Sequence, residues 1–340
     1  MRENELTAPV SLTQNHKFNR AAHGWARQPI VDTSGIHDRK DDNPGWGSNK
    51  RWEYWCVMTP THLLACTVAS LDFLASAEVW IFDRATNAPV LEKGTAALGD
   101  DGSRAATLPA QVESGTASYV GGGVEVVIEQ VEGGTRIRAS ADGGGFDVFA
   151  ARPEGHERLA VVVPWSDTLF QYTVKDVSRP ASGTVTVGGV TTQLVEGESW
   201  AVLDHGRGRW PPSCTWNWGA GCGRATDGRV MGLQFGDQWT DGTGSTENSF
   251  MLAGRLYKIS EKLKWDYDIK EPLEKWRVHG AGLDATLTPF YDKFSQTDAK
   301  IVSSRTDQCF GYWSGSFNTG SEVVHFENVI GFAEDVERKW

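Results

Sequence analysis

Short runs of apolar and β-branched residues, broken by polar turns, fill the chain from Trp52 onward. Early examples are WEYWCVM (52–58), HLLACTVASL (62–71) and SAEVWIFD (76–83). Similar runs follow to the C-terminus at a spacing of about 8–12 residues, which is typical of β-sandwiches and β-barrels. No amphipathic helix of useful length is evident. The pattern therefore predicts a chain built almost entirely of short antiparallel strands.

Glycine clusters mark the predicted turns between these runs. They occur at 121–123, 133–134 and 143–145, and glycine tolerates the backbone angles that tight turns need. GVEVVIEQ and TRIRASA, on either side of Glu132, are predicted to pair as one hairpin. ENSFMLAGRLYKI (247–259) is predicted to be a second hairpin, because its central Ala-Gly is a poor helix interior and a good turn.

The length of 340 residues favours two domains. Residues 1–50 lack periodicity and are predicted to form an irregular N-terminal wrap. VSRPASG (177–183) is interpreted as the crossing from a first β-barrel-like domain at 51–180 to a second at 181–340. We expect an all-β fold of two tandem antiparallel barrels or bent sheets, since closure removes exposed strand edges.

The charge and composition of the chain limit the kinds of molecule that it is expected to bind. The formal net charge is −11 with a pI near 5.2, so phosphate backbones and anionic membrane surfaces are repelled. The first residues lack the apolar core of a signal peptide, and no window approaches the length of a membrane span. Five scattered cysteines indicate reduced thiols and a cytoplasmic location. We expect the protein to bind a hydrophobic small molecule and to contact neither nucleic acid nor an integral membrane. The sequence does not determine the oligomeric state, and a homodimer is one of the alternatives.

The segment DHGRGRWPPSCTWNWG (204–219) concentrates the candidate chemistry. Strand alternation puts Asp204 on one face and His205 and Arg207 on the other, unless the chain bends at Gly206. With such a bend, His205 and Asp204 are candidates for acid–base catalysis, and Arg207 for holding a carbonyl or carboxylate. The alternative is a structural Asp–Arg pair beneath Trp210.

Aromatic and acidic residues elsewhere extend this candidate site. Trp216 and Trp218 share one strand face and either line an apolar slot or fill a core. The loop 237–249 adds a further carboxylate that opens a strand and is a candidate catalytic group. Glu247 is the candidate for catalysis in these regions. The candidates for substrate binding, besides Trp216 and Trp218, are Trp210, Trp239, Asp241, Trp52 and Tyr54. The alternatives are turn capping for Asp241 and surface cation–π packing for Trp52.

Several familiar signatures are missing from the sequence. There is no phosphate-binding glycine loop, no GxSxG elbow and no dinucleotide fingerprint before a helix. The cysteines and histidines lack metal-ligand spacing, and the loop 237–247 lacks the regular ligand spacing of a calcium loop. We therefore expect no cofactor and no metal.

A set of long, unusual motifs resembles the bacterial domain of unknown function 2804 family. The resemblance covers about His23 to Trp340 and rests on HGWARQP, NKRWEYW, LDHGRGRWP, TWNWGAG, QWTDGTGSTENS, LTPFYDK and QCFGYWSG. It implies a calycin-like pair of lipocalin-type barrels with a cavity for a hydrophobic molecule, distantly similar to carotenoid 1,2-hydratases, Diels–Alderase-type enzymes and survival-factor lipid binders. It implies no particular reaction, because one scaffold hosts unrelated functions.

Three functions are compatible with these sequence features. The first is a cofactor-independent lyase or isomerase of the hydratase, dehydratase or cyclase type. It would act on a hydrophobic, terpenoid-like molecule by acid–base chemistry in an aromatic-lined barrel cavity. The second is a non-catalytic carrier of a lipid or isoprenoid, in which the same tryptophans supply affinity. The third is a structural protein with filled barrels and no cavity.

Overall fold

The computed structural model describes residues 3–37, 45–98, 105–298 and 303–340. These residues form strands, turns and one 3₁₀-helix at Arg20–Ala22, with no α-helix among them. In the first part of the chain the strands are β1 (Val10–Ser11), β2 (Thr13–Gln14), β3 (Lys17–Phe18), β4 (Trp25–Ala26), β5 (Val31–Asp32), β6 (Asn49–Met58), β7 (His62–Ser70), β8 (Leu74–Asp83), β9 (Ala88–Leu98), β10 (Ala106–Thr107), β11 (Thr116–Gly121), β12 (Val124–Val131), β13 (Gly134–Ala141), β14 (Gly144–Ala151), β15 (Leu159–Pro164), β16 (Phe170–Val187), β17 (Val190–Gln193) and β18 (Trp200–Arg209). The later strands are β19 (Ser213–Arg224), β20 (Val230–Asp237), β21 (Asn248–Leu252), β22 (Arg255–Ile259), β23 (Lys264–Asp266), β24 (Trp276–Gly280), β25 (Leu283–Asp298), β26 (Ser303–Asn318) and β27 (Val323–Lys339).

The first large sheet is antiparallel and follows the order β10-β11-β12-β13-β14-β16-β18-β6-β7-β8-β9. Strands β15 and β17 also pair with β16, and β4 pairs with β15. Although β8 and β12 are far apart in this order, they contact each other, so the sheet curls onto itself. Its interior is filled by a continuous apolar cluster to which strands near both ends of the sheet order contribute. Val79 and Ile81 of β8, Val126 of β12 and Ile137 of β13 are members of this cluster.

The second sheet contains nine of the described strands, in the order β22-β21-β20-β19-β27-β26-β25-β24-β23. It also curls, because Phe250 on β21 stacks on Phe317 of β26 with ring centroids 4.7 Å apart. The interior is filled by a second apolar cluster that includes Phe235, Trp276 and Trp313. The predicted all-β fold of two lipocalin-like, barrel-type bent sheets with little helix is confirmed.

The predicted hairpins are also confirmed. Strands β12 and β13 pair across the turn at Glu132, and β21 pairs with β22 across the Ala253–Gly254 turn. Ala253 and Gly254 both have positive φ, at 49° and 81°, which a helix could not accommodate. The turn residues therefore determine that these two segments fold as hairpins, as the sequence pattern indicated.

The segment 177–183 lies inside β16. Residues of β16 up to Pro180 pair with β18, and residues from Ala181 onward pair with β14. A register shift falls between Asp176 and Arg179, where Ser178 has a φ of 59°. The segment therefore bends one strand within the first sheet. The chain passes from the first sheet to the second between Arg209 and Ser213, which is later than the boundary expected at 181.

The N-terminal segment expected to be an irregular wrap packs on the first sheet. Its short strand β4 extends that sheet through β15, and β1 pairs with β5 in parallel. Leu12, Val31 and Ile36 are buried in the first apolar cluster. The segment therefore closes part of the first curled sheet. No helix in the described part of the chain is long and apolar enough to span a membrane.

The two sheets pack on each other through a third apolar cluster. Trp80 on β8 is fully buried and stacks on Phe310 of β26 at 5.3 Å and on Phe82 at 5.5 Å. Val202 of the first sheet and Phe332 of the second belong to the same cluster. The outer faces of the two curled sheets thus form a common core, and this junction also contains the candidate site.

Candidate functional site

A cavity of about 210 Å³ lies at the junction between the two sheets. Strands β6, β7, β8, β16 and β18 contribute from the first sheet, and β19, β25, β26 and β27 from the second. Among its lining residues Ser295 is exposed and the Glu78 side chain is 33% exposed, so these two mark the side that meets solvent. The expected cavity inside a barrel is therefore replaced by one between sheets, because apolar clusters fill the inside of each curl.

Alternation along β18 decides which of its side chains reach this cavity. Asp204 lies on the cavity wall, and Trp210 follows on the same side just after the strand ends. At Gly206 a Cβ atom would lie 2.2 Å from the Trp52 ring, and at Gly208 it would lie 2.2 Å from Gln171 Oε1. These glycines let side chains from neighbouring strands cross β18 closely. The expected bend at Gly206 does not occur, since β18 pairs without interruption with β6 over its whole length.

His205 and Arg207 consequently point away from the cavity, into the first sheet's interior. His205 Nδ1 lies 3.2 Å from Glu53 Oε1, and Arg207 Nη1 donates to the Trp52 carbonyl at 2.7 Å. Arg207 also donates to the Pro109 carbonyl. Burial lowers the pKa of His205, and the Arg207 charge lowers it further. The expectation that these two residues join Asp204 in one site is not met, because an unbent strand sends successive side chains to opposite faces.

Asp204 accepts three hydrogen bonds or ion-pair contacts from its surroundings. Trp52 Nε1 donates to Oδ2 at 3.0 Å, Thr173 Oγ1 donates to Oδ1 at 3.1 Å, and Lys175 Nζ lies 3.0 Å from Oδ2. The side chains of Thr173 and Lys175 lie two residues apart on β16 and share its cavity face. The Asp204 carboxylate is thus held rigidly in the cavity wall.

Lys175 connects Asp204 to Glu247. Its Nζ lies 3.6 Å from Glu247 Oε1 and 3.8 Å from the centroid of the Trp218 ring. Burial lowers the pKa of Lys175, but the charges of Asp204 and Glu247 outweigh burial and raise the pKa above its ordinary value. Lys175 is therefore a permanent cation between two carboxyl groups.

Glu247 is a carboxyl group that is almost fully removed from water. It is 2% exposed, and Trp239 Nε1 lies 3.4 Å from its Oε2. Burial raises the pKa of Glu247 to about 7; the Asp204 charge adds to this rise, and the Lys175 charge opposes it. At neutral pH the group can therefore both give and accept a proton.

A second carboxyl of the same kind lies on β27. Glu334 Oε1 accepts from Trp216 Nε1 at 2.9 Å, and Oε2 accepts from Gln308 Nε2 at 3.1 Å. Burial raises the pKa of Glu334 to about 7, against the effects of the Trp216 hydrogen bond and the Lys175 charge. Gln308 Nε2 also lies 3.3 Å from the Tyr54 hydroxyl, so Tyr54 belongs to this network.

Indole rings form most of the remaining wall. Trp210 stacks on Trp239 with ring centroids 5.6 Å apart. It also contacts Trp52, Trp216 and Trp340 at 5.6–5.9 Å. The tryptophans proposed from the sequence for substrate binding, Trp52, Trp210, Trp216, Trp218 and Trp239, all line the cavity. Asp241 does not: it is exposed and pairs with Lys262 at 2.6 Å.

Sequence reasoning missed Lys175, Glu334 and Gln308. Each is a polar residue on one face of a strand, and the local sequence does not show whether that face meets solvent or another part of the protein. Here that face packs against the other sheet. The available signal was the aromatic enrichment beside such polar faces, as in Trp216 and Trp340. Within the described ranges, no group of three or more His, Cys, Asp or Glu side chains is arranged to hold a metal ion.

The fold is similar to that of solved proteins. A Nitrosomonas europaea protein provisionally described as AttH superposes with a TM-score of 0.53 at 13% identity, covering 84% of this chain and 92% of that one. Kievitone hydratase from Nectria haematococca gives a TM-score of 0.48 at 10% identity, covering 91% and 94% of the two chains. CghA crystallised with Sch210972 gives 0.43 at 9% identity, covering 86% and 89%. The first of these likenesses shows a common fold.

No curated protein is significantly similar to this chain in sequence. The family profile described as Domain of unknown function (DUF2804), in contrast, matches residues 3–340, nearly the whole chain. The chain belongs to the DUF2804 family.

Proposed function

We propose that the protein is a cofactor-independent lyase or isomerase that transfers protons to and from a small hydrophobic molecule in the junction cavity. The observation that carries this proposal is the pairing of Glu247, with a pKa of about 7, with the buried Lys175–Asp204 ion pair in a wall of tryptophans. A general acid or base works best when its pKa lies near the working pH, and the burial of Glu247 supplies that condition.

The residues have separate roles in this proposal. Glu247 is the proton donor and acceptor, and Glu334, whose pKa is also about 7, is the second proton carrier. Asp204 and Lys175 are positioning residues that fix the charge beside Glu247. The indole faces bind the apolar part of the substrate and stabilise positive charge that develops on carbon.

A hydration reaction illustrates the proposed proton transfers and the bonds that form and break. Glu247 gives its proton to one carbon of a C=C bond, and the π electrons form the new C–H bond, leaving a cation on the other carbon. The oxygen of a water molecule bonds to that carbon and then loses a proton to a carboxylate of the cavity. The reverse sequence is a dehydration, and loss of a proton from a neighbouring carbon instead of water addition shifts the double bond.

The second candidate is a non-catalytic carrier, and one observation favours it. The carboxylate oxygens of Asp204 and Glu334 already accept hydrogen bonds from protein donors, as they would in a rigid binding site. A carrier of this type binds through the tryptophan walls and returns its ligand unchanged.

Deuterium labelling separates the two functions and does not require an identified substrate. The purified protein is incubated in D₂O with a small-molecule extract, and mass spectrometry detects compounds that gain non-exchangeable deuterium or the elements of water. We expect labelled compounds with the unmodified protein and a signal about 100-fold lower with Glu247→Gln. Glu125→Gln, at an exposed position, is the matched control.

Two other outcomes of this experiment would not support the proposed enzyme. A compound that copurifies with the protein and is recovered without label supports the carrier. Equal labelling by the unmodified protein and Glu247→Gln contradicts the role given to Glu247.

A further inference from the structure

Three cationic side chains line the cavity, and they differ in their partners. Lys175 lies between Asp204 and Glu247, and Lys293 Nζ lies 2.6 Å from Glu78 Oε1. Arg338 has no ion pair with any residue that the structure describes. Its guanidinium carbon instead lies 5.7 Å from the ring centroids of both Trp216 and Trp340. A cation in that position has lost part of its hydration without gaining a direct salt bridge, although the charges of Glu334 and Glu78 act on it from a greater distance.

Unpartnered hydrogen-bond groups accompany Arg338 in the cavity lining. Within the described residues, Arg338 Nε, Gln171 Nε2 and Thr306 Oγ1 are buried and have no hydrogen-bond partner. The orientation of the Gln171 amide is fixed, because Trp210 Nε1 donates to its Oε1 at 2.8 Å. Unpaired buried polar atoms are destabilising, so a cavity with several of them is complementary to a ligand that supplies their partners.

Strand register brings two of these groups together. Arg338, Val336 and Glu334 alternate along β27 and share the cavity face, and Thr306 on β26 is the direct partner of Val336. Thr306 is therefore diagonal to Arg338, within reach of a long side chain. Two donors thus lie close together on the second sheet's side of the cavity, whose lining also includes Lys175 and Glu247.

The size of the cavity limits the ligand. Its volume of about 210 Å³ is below the range of roughly 300–1,000 Å³ that is usual for sites of drug-sized molecules. A long isoprenoid or a lipid chain is larger than this space. The ligand is accordingly a compact molecule whose apolar part fits between indole rings.

We propose that this compact ligand carries a carboxylate, and that Arg338 and Thr306 bind that carboxylate while its apolar part lies among the tryptophans. A guanidinium matches the planar carboxylate geometrically and electrostatically. The single positive charge of Arg338, which has no salt-bridge partner among the described residues, is complementary to a ligand with one negative charge. The nearby carboxyl groups of Glu78 and Glu334 oppose a more highly charged group such as a phosphate. This inference names the substrate class of the proposed enzyme and rests on that proposed function.

Binding of simple probes tests the carboxylate site directly. Quenching of tryptophan fluorescence is titrated with benzoate and with cyclohexanecarboxylate, each compared with its neutral alcohol, benzyl alcohol or cyclohexylmethanol, at constant ionic strength. We expect the unmodified protein to bind each acid at least about tenfold more tightly than its alcohol, the preference that a charge-assisted hydrogen bond supplies.

Variants then assign that preference to Arg338. Arg338→Met is expected to bind acid and alcohol equally, and Arg338→Lys to retain part of the preference because the charge remains. Arg224→Met is the matched control: Arg224 also lies 5.7 Å from a tryptophan centroid, that of Trp200, but outside this cavity. It should keep the full preference.

Two results would overturn the proposal. One is the absence of any preference for the acids in the unmodified protein, including no binding of either probe class. The other is a preference that survives in Arg338→Met. Because probe binding requires no turnover, a failed deuterium-labelling experiment leaves this test intact, and the two proposals can fail separately.

Discussion

Glu247, Lys175 and Asp204 show how a buried charge can be retained in a protein interior. Burying the Lys175 ammonium alone would cost several kcal/mol, and its contacts with two carboxyl groups offset that cost. Glu247 is itself buried, and burial together with the Asp204 charge raises its pKa to about 7, although the Lys175 charge opposes this rise. Burial, and not the contact with the lysine, therefore prepares Glu247 for proton transfer at neutral pH.

The pH dependence of stability should show this raised pKa. In the folded protein Glu247 has a pKa of about 7 rather than 4.5, so between these values the folded state binds more protons than the unfolded state. Stability from this group is fully present below about pH 4.5 and is lost as the pH rises through about 7. Glu247→Gln cannot titrate, so relative to the unmodified protein it should gain about 3 kcal/mol between these limits.

Urea denaturation at a series of pH values measures this gain. Glu125→Gln is the control, because the exposed Glu125 loses little hydration on folding. A stability difference between Glu247→Gln and the unmodified protein that stays constant from about pH 4.5 to 8 would show that the folded protein does not hold a proton on Glu247.

The candidate residues could be predicted from the sequence only where their setting was unusual. Asp204, Trp216 and Trp218 stood out because they lie in one segment with an exceptional density of aromatic and polar groups. Lys175 and Glu334 did not, since a polar residue in a strand has the same local sequence whether its face meets solvent or another sheet. Only the packing of the second sheet distinguishes the two situations.

Strand β18 shows at the level of an element how alternation sorts side chains between two environments. Asp204 lies on the cavity face, and His205 and Arg207 lie on the face that packs inside the first sheet. Sequence reasoning identified both faces, but it interpreted Gly206 as a bend. In the structure the glycine instead makes room for Trp52, whose indole donates to Asp204.

Gly206→Ala should therefore disturb the site as well as the strand. The added methyl would lie 2.2 Å from the Trp52 ring, so the indole must move and its hydrogen bond to Asp204 must lengthen. We expect a loss of about 1–3 kcal/mol in the free energy of unfolding.

Gly94→Ala is the matched control in urea denaturation. Gly94 is also inside a strand, β9, but nothing lies within 4 Å of the position of its Cβ, so this substitution should be close to neutral. If both substitutions have the same small effect, the close approach of Trp52 does not constrain residue 206.

Across the molecule as a unit, the two curled sheets share one core. Each sheet fills its own interior, and the outer faces meet in a cluster around Trp80, Phe310 and Phe332. The cavity lies in the same junction, so the functional site depends on both sheets being packed together.

The strand-rich character of both halves could be predicted from apolar periodicity and glycine turns. The order of strands, which brings β18 between β16 and β6, could not, because pairing between distant segments leaves no local pattern.

Trp80→Ala should destabilise both sheets together. Trp80 is fully buried and stacks on residues of both sheets, so its removal should cost about 3–5 kcal/mol. We expect one cooperative unfolding transition, shifted to lower urea, by both near-ultraviolet circular dichroism and fluorescence.

Phe294→Ala provides the comparison, because Phe294 is 53% exposed and its loss should change stability by less than about 1 kcal/mol. Two separate transitions, of which only one shifts in Trp80→Ala, would mean that the sheets fold independently.

Infrared titration of the carboxyl groups from about pH 4 to pH 9 shows whether the cavity holds an acid at neutral pH. It compares the unmodified protein with Glu247→Gln and Glu334→Gln. We predict a protonated carboxyl band that disappears with a midpoint near pH 7 and loses one component in each variant. The contradictory result is a band already lost by about pH 5, the behaviour of a glutamate in water. In that case the cavity would hold fixed anions, and no acid for catalysis at neutral pH would remain on Glu247 or Glu334.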